Sequence, residues 1–347
     1  LATGCTVDEK LVSSVVMVDP LDGSELDRRS RDGESGFVQV GVMPAGRDDL
    51  LAWQLESSLA LRADGDWREI PVATHAVAFG PASGDALPEI FGGAGTRALM
   101  WSAEDGSLLA EVESATFPWD PVAADWDGDG DTDLVLAAPG YGVGFHARDG
   151  DDLGELQPLA EGVGLDQHLD VGDLDEDGQL DLVRYFSGGI DVLFGGPDGT
   201  VDEQFHLETG LTDVDRVSLG DFTADGKLDV VVGARDGVQV LENAGDRTLS
   251  EGALFSDLST QMVVMDVDGD ADLDIVGQPV RDRSEDWSNQ VFAVRNEDGA
   301  LSGPELLFQF PEQITDMAAG QDAGGNPWLA LSTFTFEAEP WSPEYRN

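Results

Sequence analysis

Four short stretches of this chain place carboxylates at alternate positions and then run into an apolar segment. Residues 125–134 read DWDGDGDTDL, 173–182 read DLDEDGQLDL, 221–230 read DFTADGKLDV and 266–275 read DVDGDADLDI. In a loop of this kind, positions one, three and five turn oxygens toward one point, and a glycine at six permits the sharp turn. The backbone carbonyl of position seven and the carboxylate of position nine complete the cage. Hard oxygen donors in a flexible loop suit Ca²⁺ better than Zn²⁺ or copper, which favour His and Cys, and better than Mg²⁺, which keeps its waters. The candidate ligands are Asp125, Asp127, Asp129, Asp131 and Asp133; Asp173, Asp175, Asp177, Gln179 and Asp181; Asp221, Thr223, Asp225, Lys227 and Asp229; and Asp266, Asp268, Asp270, Asp272 and Asp274. Asp131, Gln179, Lys227 and Asp272 enter through their main-chain carbonyls. Converging carboxylates repel one another, so a bound cation becomes part of the folding free energy.

The loops are not equivalent. The first two are complete, with Gly130 and Gly178 at the turn. Thr223 replaces a carboxylate in the third, which weakens it, and Ala271 occupies the turn position of the fourth, which strains its backbone. A solvated acidic surface is the competing explanation for these residues, and the chain has 70 Asp and Glu against 18 Lys and Arg, a net charge of -52. It accounts for most of the carboxylates but not for their clustering in register. Up to four Ca²⁺ would offset 8 (4 × 2) of the 52 excess charges, leaving the rest to solubility or a cation-rich habitat. Such a surface repels phosphate, which excludes nucleic acid as a partner.

The elements that must hold these loops recur with them. Looser copies at 41–53, 81–93 and 320–331 keep the loop length and the apolar segment after position nine, and are expected to have lost the carboxylates. Loop starts at 41, 81, 125, 173, 221, 266 and 320 give seven units, with the spacing of a β-propeller blade. Hairpin turns follow at Asp64-Gly65, Asp105-Gly106, Asp149-Gly150, Asp198-Gly199 and Asp246-Arg247, and farther on at Asp298-Gly299, beyond an insertion. Asp-Gly supplies the positive φ of a tight turn. At Asp246-Arg247 that freedom is expected to come from Gly245. Each unit reads as a four-stranded antiparallel sheet. The seventh loop lacks a hairpin, while an orphan hairpin at Asp22-Gly23 precedes the first loop. The predicted fold is therefore all-β: a seven-bladed β-propeller of four-stranded antiparallel blades, closed by mixing N- and C-terminal strands in one blade.

One cysteine, Cys5, excludes an intramolecular disulfide. The start, LATGCT, resembles the end of a bacterial lipoprotein signal peptide, with Ala2 where that motif prefers Leu. Residues 1–10 are expected to be a signal-peptide remnant, lipobox and tether, and 11–347 the propeller. The only expected link to a membrane is a lipid on Cys5. No apolar run approaches the roughly 18 residues that a spanning helix needs.

Several stretches, DLDEDGQLDLV, FGGPDGT and VAFGPASGDALPEIFGG, resemble FG-GAP/VCBS repeats, the units of integrin α-subunit propellers and of many bacterial surface and secreted proteins. The resemblance implies the propeller fold and Ca²⁺ loops. It implies function only loosely, because the family holds adhesins, lectin-like binders, scaffolds and a minority of enzymes. The expected function is a non-enzymatic, calcium-stabilised binding or assembly module, exported to the cell surface or secreted, with a protein or glycan ligand and possible self-association. A self-assembling structural subunit is one alternative. The other is a carbohydrate-active enzyme such as a polysaccharide lyase, with His168, His206, Tyr141, Tyr185 and Arg184 as the residues to watch. His75 and His146 complete the histidines, which share no metal-like spacing. Trp126, at position two of the first loop, either packs against the neighbouring blade or joins Trp119 in an exposed aromatic platform; the tail from residue 336 carries Trp341 and Tyr345.

Overall fold

The computed structural model describes residues 9–32, 38–41, 43, 47–54, 58–72, 74, 76–80, 87–114, 119–138, 142–162, 168–186, 188–280 and 288–338. Cys5, His75, Tyr141, Trp287, Trp341, Tyr345, most of the loop that begins at 81, and the side chain of Trp119 lie outside this set.

Short apolar runs punctuated by Asp-Gly turns form antiparallel strands, and among the described residues only Pro197–Gly199 is helical, as a single 3-10 turn. The strands group in fours. Blade 1 is Val38–Gly41, Leu50–Gln54, Leu59–Ala63 and Asp66–Ile70; blade 2 is Val77–Phe79, Glu89–Ala94, Arg97–Ser102 and Leu108–Glu113. Blade 3 is Trp119–Ala124, Asp133–Ala138, Gly142–Asp149 and Asp152–Ala160; blade 4 is Leu169–Gly172, Asp181–Phe186, Gly189–Gly195 and Val201–Glu208. Blade 5 is Val214–Gly220, Asp229–Ala234, Gly237–Asn243 and Leu249–Phe255.

The remaining strands form one seven-stranded sheet that resolves into two blades. Leu258–Met265, Asp274–Pro279 and Ser288–Val294 take the first half of Glu305–Gln321 as their fourth strand, giving blade 6. The second half of Glu305–Gln321 pairs with Pro327–Ala338, which pairs with Glu9–Val18 and through it with Glu25–Asp32, giving blade 7. Ile314 marks the changeover, opposite Ser288 on one side and Thr333 on the other. The N-terminal strands therefore complete the blade that the C-terminal strands begin. The first strands of the blades touch in sequence, from Val38–Gly41 round to Glu305–Gln321 and back to Val38–Gly41, so the ring is closed.

Burial follows from this geometry. Middle strands such as Gly189–Gly195 and Asp229–Ala234 are buried along their whole length because a blade covers each face. Leu182 and Leu193 of blade 4 pack with Val135 and Phe145 of blade 3, while Val183 and Val192 face Val217 and Val230 of blade 5. Outer strands such as Val201–Glu208 alternate and expose their acids. The ring is also stitched by polar contacts near its axis: the Val38 N–H donates to Asp316 Oδ2 at 3.0 Å, and the Arg216 guanidinium donates to the Met262 carbonyl and lies 3.7 Å from Asp316 Oδ1.

Candidate metal centres

Each acidic loop joins the first and second strands of its blade, and a common set of hydrogen bonds shapes it. The position-one carboxylate accepts the position-six N–H: Gly130 to Asp125 Oδ2 at 3.1 Å, Gly178 to Asp173 Oδ2 at 3.0 Å, Gly226 to Asp221 Oδ2 at 2.9 Å, Ala271 to Asp266 Oδ2 at 2.9 Å. The position-five carboxylate accepts the position-seven N–H in all four loops, at Asp129, Asp177, Asp225 and Asp270. The turn needs left-handed backbone at position six, where Ala271 adopts φ 81° without a glycine, and also at position four, where Glu176 and Ala224 adopt it. In the first and fourth loops glycine takes position four, at Gly128 and Gly269, and both are left-handed as well.

The position-nine aspartates are buried and hold the loop to its sheet. Asp133 Oδ2 accepts the N–H groups of Trp126 and Asp127, and its Oδ1 accepts that of Arg148 from the third strand. Asp181 does the same for Leu174 and Gly195, Asp229 for Phe222, Thr223 and Asn243, and Asp274 for Val267 and Asn296. Burial pushes the carboxyls of Asp133 and Asp181 up to about 6, and raises those of Asp229 and Asp274, against the opposing effect of their amide donors.

Positions one, three and nine come together in three loops. Asp125, Asp127 and Asp133 offer carboxylate oxygens within 4.8 Å of one another, as do Asp173, Asp175 and Asp181, and Asp266, Asp268 and Asp274. Those are groups able to hold a metal ion. Asp125 Oδ1 is buried and accepts no hydrogen bond from the described residues, which leaves an acceptor facing its group unsatisfied. Such hard, anionic oxygens fit an alkaline-earth cation. In the third loop Thr223 stands in for the position-three acid beside Asp221 and Asp229, and Lys227 donates to Asp225 at 3.1 Å. The position-five acids stand outside the three groups. The side chains of Asp131 and Asp272 accept hairpin N–H groups, from Gly150 and Asp298.

Contacts from neighbouring strands complete the picture. In three of the four cases the hairpin of the following blade docks on the preceding acidic loop. Trp126 Nε1 donates to the Gly199 carbonyl at 3.1 Å, Asn243 Nδ2 donates to the Leu174 carbonyl, and Gly299 sits so close to the Thr223 carbonyl that an added Cβ would lie 2.3 Å from its oxygen. Arg247, at φ 62° in the blade 5 hairpin, reaches back to Asp175 at 2.6 Å and stacks over Phe194. The left-handed turn there uses Arg247 as well as Gly245. Within blade 6, Arg295 meets Asp268 at 2.5 Å. Trp126 is 2 % exposed and packs near Phe145, so it belongs to the blade interface and not to an exposed platform.

The loop at 41–49 has lost the acids of positions one, three and five but keeps that of position nine. Asp49 occupies position nine, is buried, accepts the Met43 and Gln321 N–H groups, and donates its own N–H to the Gln321 carbonyl. Asp48 accepts the Ala323 N–H, which ties blade 1 to blade 7. At 81–89 the same position is Glu89, paired with Arg148. Of the residues flagged for acid–base chemistry, Arg184 and His206 converge on Asp191, and the Tyr185 N–H donates to the His168 carbonyl beside them. Arg184 is buried on Asp191, where His206 also meets it at 2.7 Å; Tyr185 packs toward blade 5; His146 is buried between Ser114 and the Gly154 carbonyl.

Residues 221–277, which include the third and fourth acidic loops, match the FG-GAP-like repeat family. This chain is a β-propeller carrying an FG-GAP-like repeat. Among solved structures, the propeller resembles an Agrocybe aegerita lectin that recognises non-reducing terminal N-acetylglucosamine, with a TM-score of 0.57 and 14% identity over 85% of this chain and 90% of that one. It also resembles the Cps50 (Swd1) β-propeller domain of Myceliophteria thermophila, with a TM-score of 0.55 and 11% identity over 87% of this chain and 97% of that one. BBS1N in complex with ARL6DN gives a TM-score of 0.51 and 13% identity over 88% of this chain and 97% of the other. No curated protein matches this chain in sequence.

Proposed function

We propose that this propeller is a non-enzymatic binding or assembly module, stabilised by Ca²⁺ in its acidic loops and working outside the cell, either secreted or held at the surface through a lipid on Cys5. The observation that carries the reading is the convergence of Asp125, Asp127 and Asp133, and of their counterparts in two further loops, with Asp125 Oδ1 accepting no hydrogen bond among the described residues. Bound Ca²⁺ would supply charge neutralisation; Asp173, Asp175 and Asp181, and Asp266, Asp268 and Asp274, would hold it in the same way, with the Thr223 loop weaker. A rigid ring with an acidic rim is suited to presenting a surface to a protein or glycan. Propellers of similar shape do both: the Agrocybe aegerita lectin recognises a sugar, and BBS1N is found in complex with ARL6DN.

Calcium removal tests the reading. A site filled at about a hundred times its Kd adds about 2.7 kcal/mol, so excess EGTA should lower the unfolding midpoint by several degrees and Ca²⁺, added back, should restore it. Superimposable melting curves in EGTA and in Ca²⁺ would refute it.

A further inference from the structure

The cleft between blade 7 and blade 1 contains a cavity of about 340 Å³, at the small end of the range for ligand pockets. Its wall includes Arg29, Arg31 and Asp32 from the outermost strand of blade 7, and Trp53, Ser58 and Glu69 from blade 1. Trp53, Ser58 and Glu69 lie at the strand ends remote from the 41–49 loop, since Ala60 pairs with both Trp53 and Glu69. The cavity therefore opens toward the face opposite the acidic loops.

Three features set this place apart. Arg28, Arg29 and Arg31 concentrate three of the chain's 18 basic residues within four positions. Arg29 is pre-positioned, bonded to Glu69 at 2.5 Å and lying over the Trp67 ring at 5.6 Å. Trp53 is fully buried, and its indole N–H finds no acceptor among the described residues. The guanidinium groups donate, Asp32 and Glu69 accept, and the Ser58 hydroxyl does both, while the buried Trp53 ring closes the wall behind them. Formal charge within the wall cancels, while the net charge of -52 disfavours an anionic guest. A ring bearing several hydroxyls, each able to accept and donate, satisfies such a wall better than a carboxylate or an apolar group does.

We infer that this cavity is a binding site for an uncharged saccharide unit. The inference rests on the reading of the chain as a binding module and gives that module its site and ligand class. The test titrates the calcium-loaded protein with galactose, mannose and N-acetylglucosamine, with glucuronate as the charged comparison, by calorimetry and ligand-observed NMR. Arg31→Met removes donors while keeping the aliphatic stem, and Ser58→Tyr fills the space. At least one uncharged sugar should bind in the millimolar range or tighter, and both variants should bind it about tenfold more weakly, the equivalent of one lost hydrogen bond, with melting curves in Ca²⁺ unchanged. No binding by any uncharged sugar, tighter binding of glucuronate, or undiminished binding by both variants overturns the site. Failure here with an intact EGTA effect would refute the saccharide site alone; loss of the EGTA effect with sugar binding preserved would refute the calcium reading alone.

Discussion

The position-nine aspartates combine two roles that mutation separates. Asp133 satisfies three backbone N–H groups whether or not a cation is present, whereas Asp127 faces its group without holding the sheet. Asp133→Ala leaves buried donors unpaired, at about 1–3 kcal/mol each before relaxation. It should destabilise the protein in both Ca²⁺ and EGTA, whereas Asp127→Ala should destabilise it in Ca²⁺ only; urea titrations in the two buffers check this. pH gives a second measurement. The carboxyls of Asp133 and Asp181 rise from 3.8 to about 6 on folding, because burial disfavours the charged form. The native state therefore holds these protons more tightly than the unfolded chain. Their contribution to stability is fully present below pH 3.8 and is lost as pH rises through about 6. In EGTA the unfolding midpoint should fall across that window, and Ca²⁺, which binds the ionised form, should flatten or reverse the trend.

At the scale of elements, each loop is also half of a blade interface. Trp126 lies under the Gly199 turn, whose Cβ, if present, would meet Phe145 at 2.8 Å and Asp127 at 3.0 Å. Trp126→Phe should cost about 1 kcal/mol through the lost hydrogen bond, and Trp126→Ala about 3–5 kcal/mol through the cavity as well. Gly199→Ala, at φ 72°, strains the turn and presses on the same loop. If docking couples the sites to the stacking of blades, both Trp126→Ala and Gly199→Ala weaken Ca²⁺ binding to the first loop, which calorimetric titration would show. An unaltered binding isotherm would mean that loop and hairpin act independently.

For the whole molecule, closure is the decisive step. Glu9–Val18 pairs along its length with Pro327–Ala338, a contact between residues more than 300 positions apart, and removes the edge that an open ring would expose. A chain beginning at residue 38 keeps all four acidic loops but loses two strands of blade 7. It should unfold at lower denaturant concentration and self-associate, seen as added mass in light scattering, while adding residues 9–32 as a separate peptide should restore the monomer. Closure is a slow step in folding of the intact chain, because the loop that must close spans nearly the whole sequence.

Local chemistry made much of this legible in the sequence. The DxDxDGxxD spacing, the Asp-Gly hairpins and the displaced first hairpin, Asp22-Gly23, all act within a few residues or repeat at a fixed period, so they specify strands, turns, acidic loops and the closing blade without knowledge of neighbours. Tertiary structure decided what each loop touches. Asp49 keeps the position-nine role although its loop lacks the acids of positions one, three and five, because its partners include Gln321 from blade 7; Trp126 turns inward because the blade 4 hairpin covers it; Arg247 finds Asp175 across a blade boundary; and the cavity at Arg29 and Trp53 exists only where the outer strand of blade 7 lies against blade 1. Those contacts join residues tens to hundreds of positions apart, and residue spacing carries no record of which surfaces the closed ring will press together.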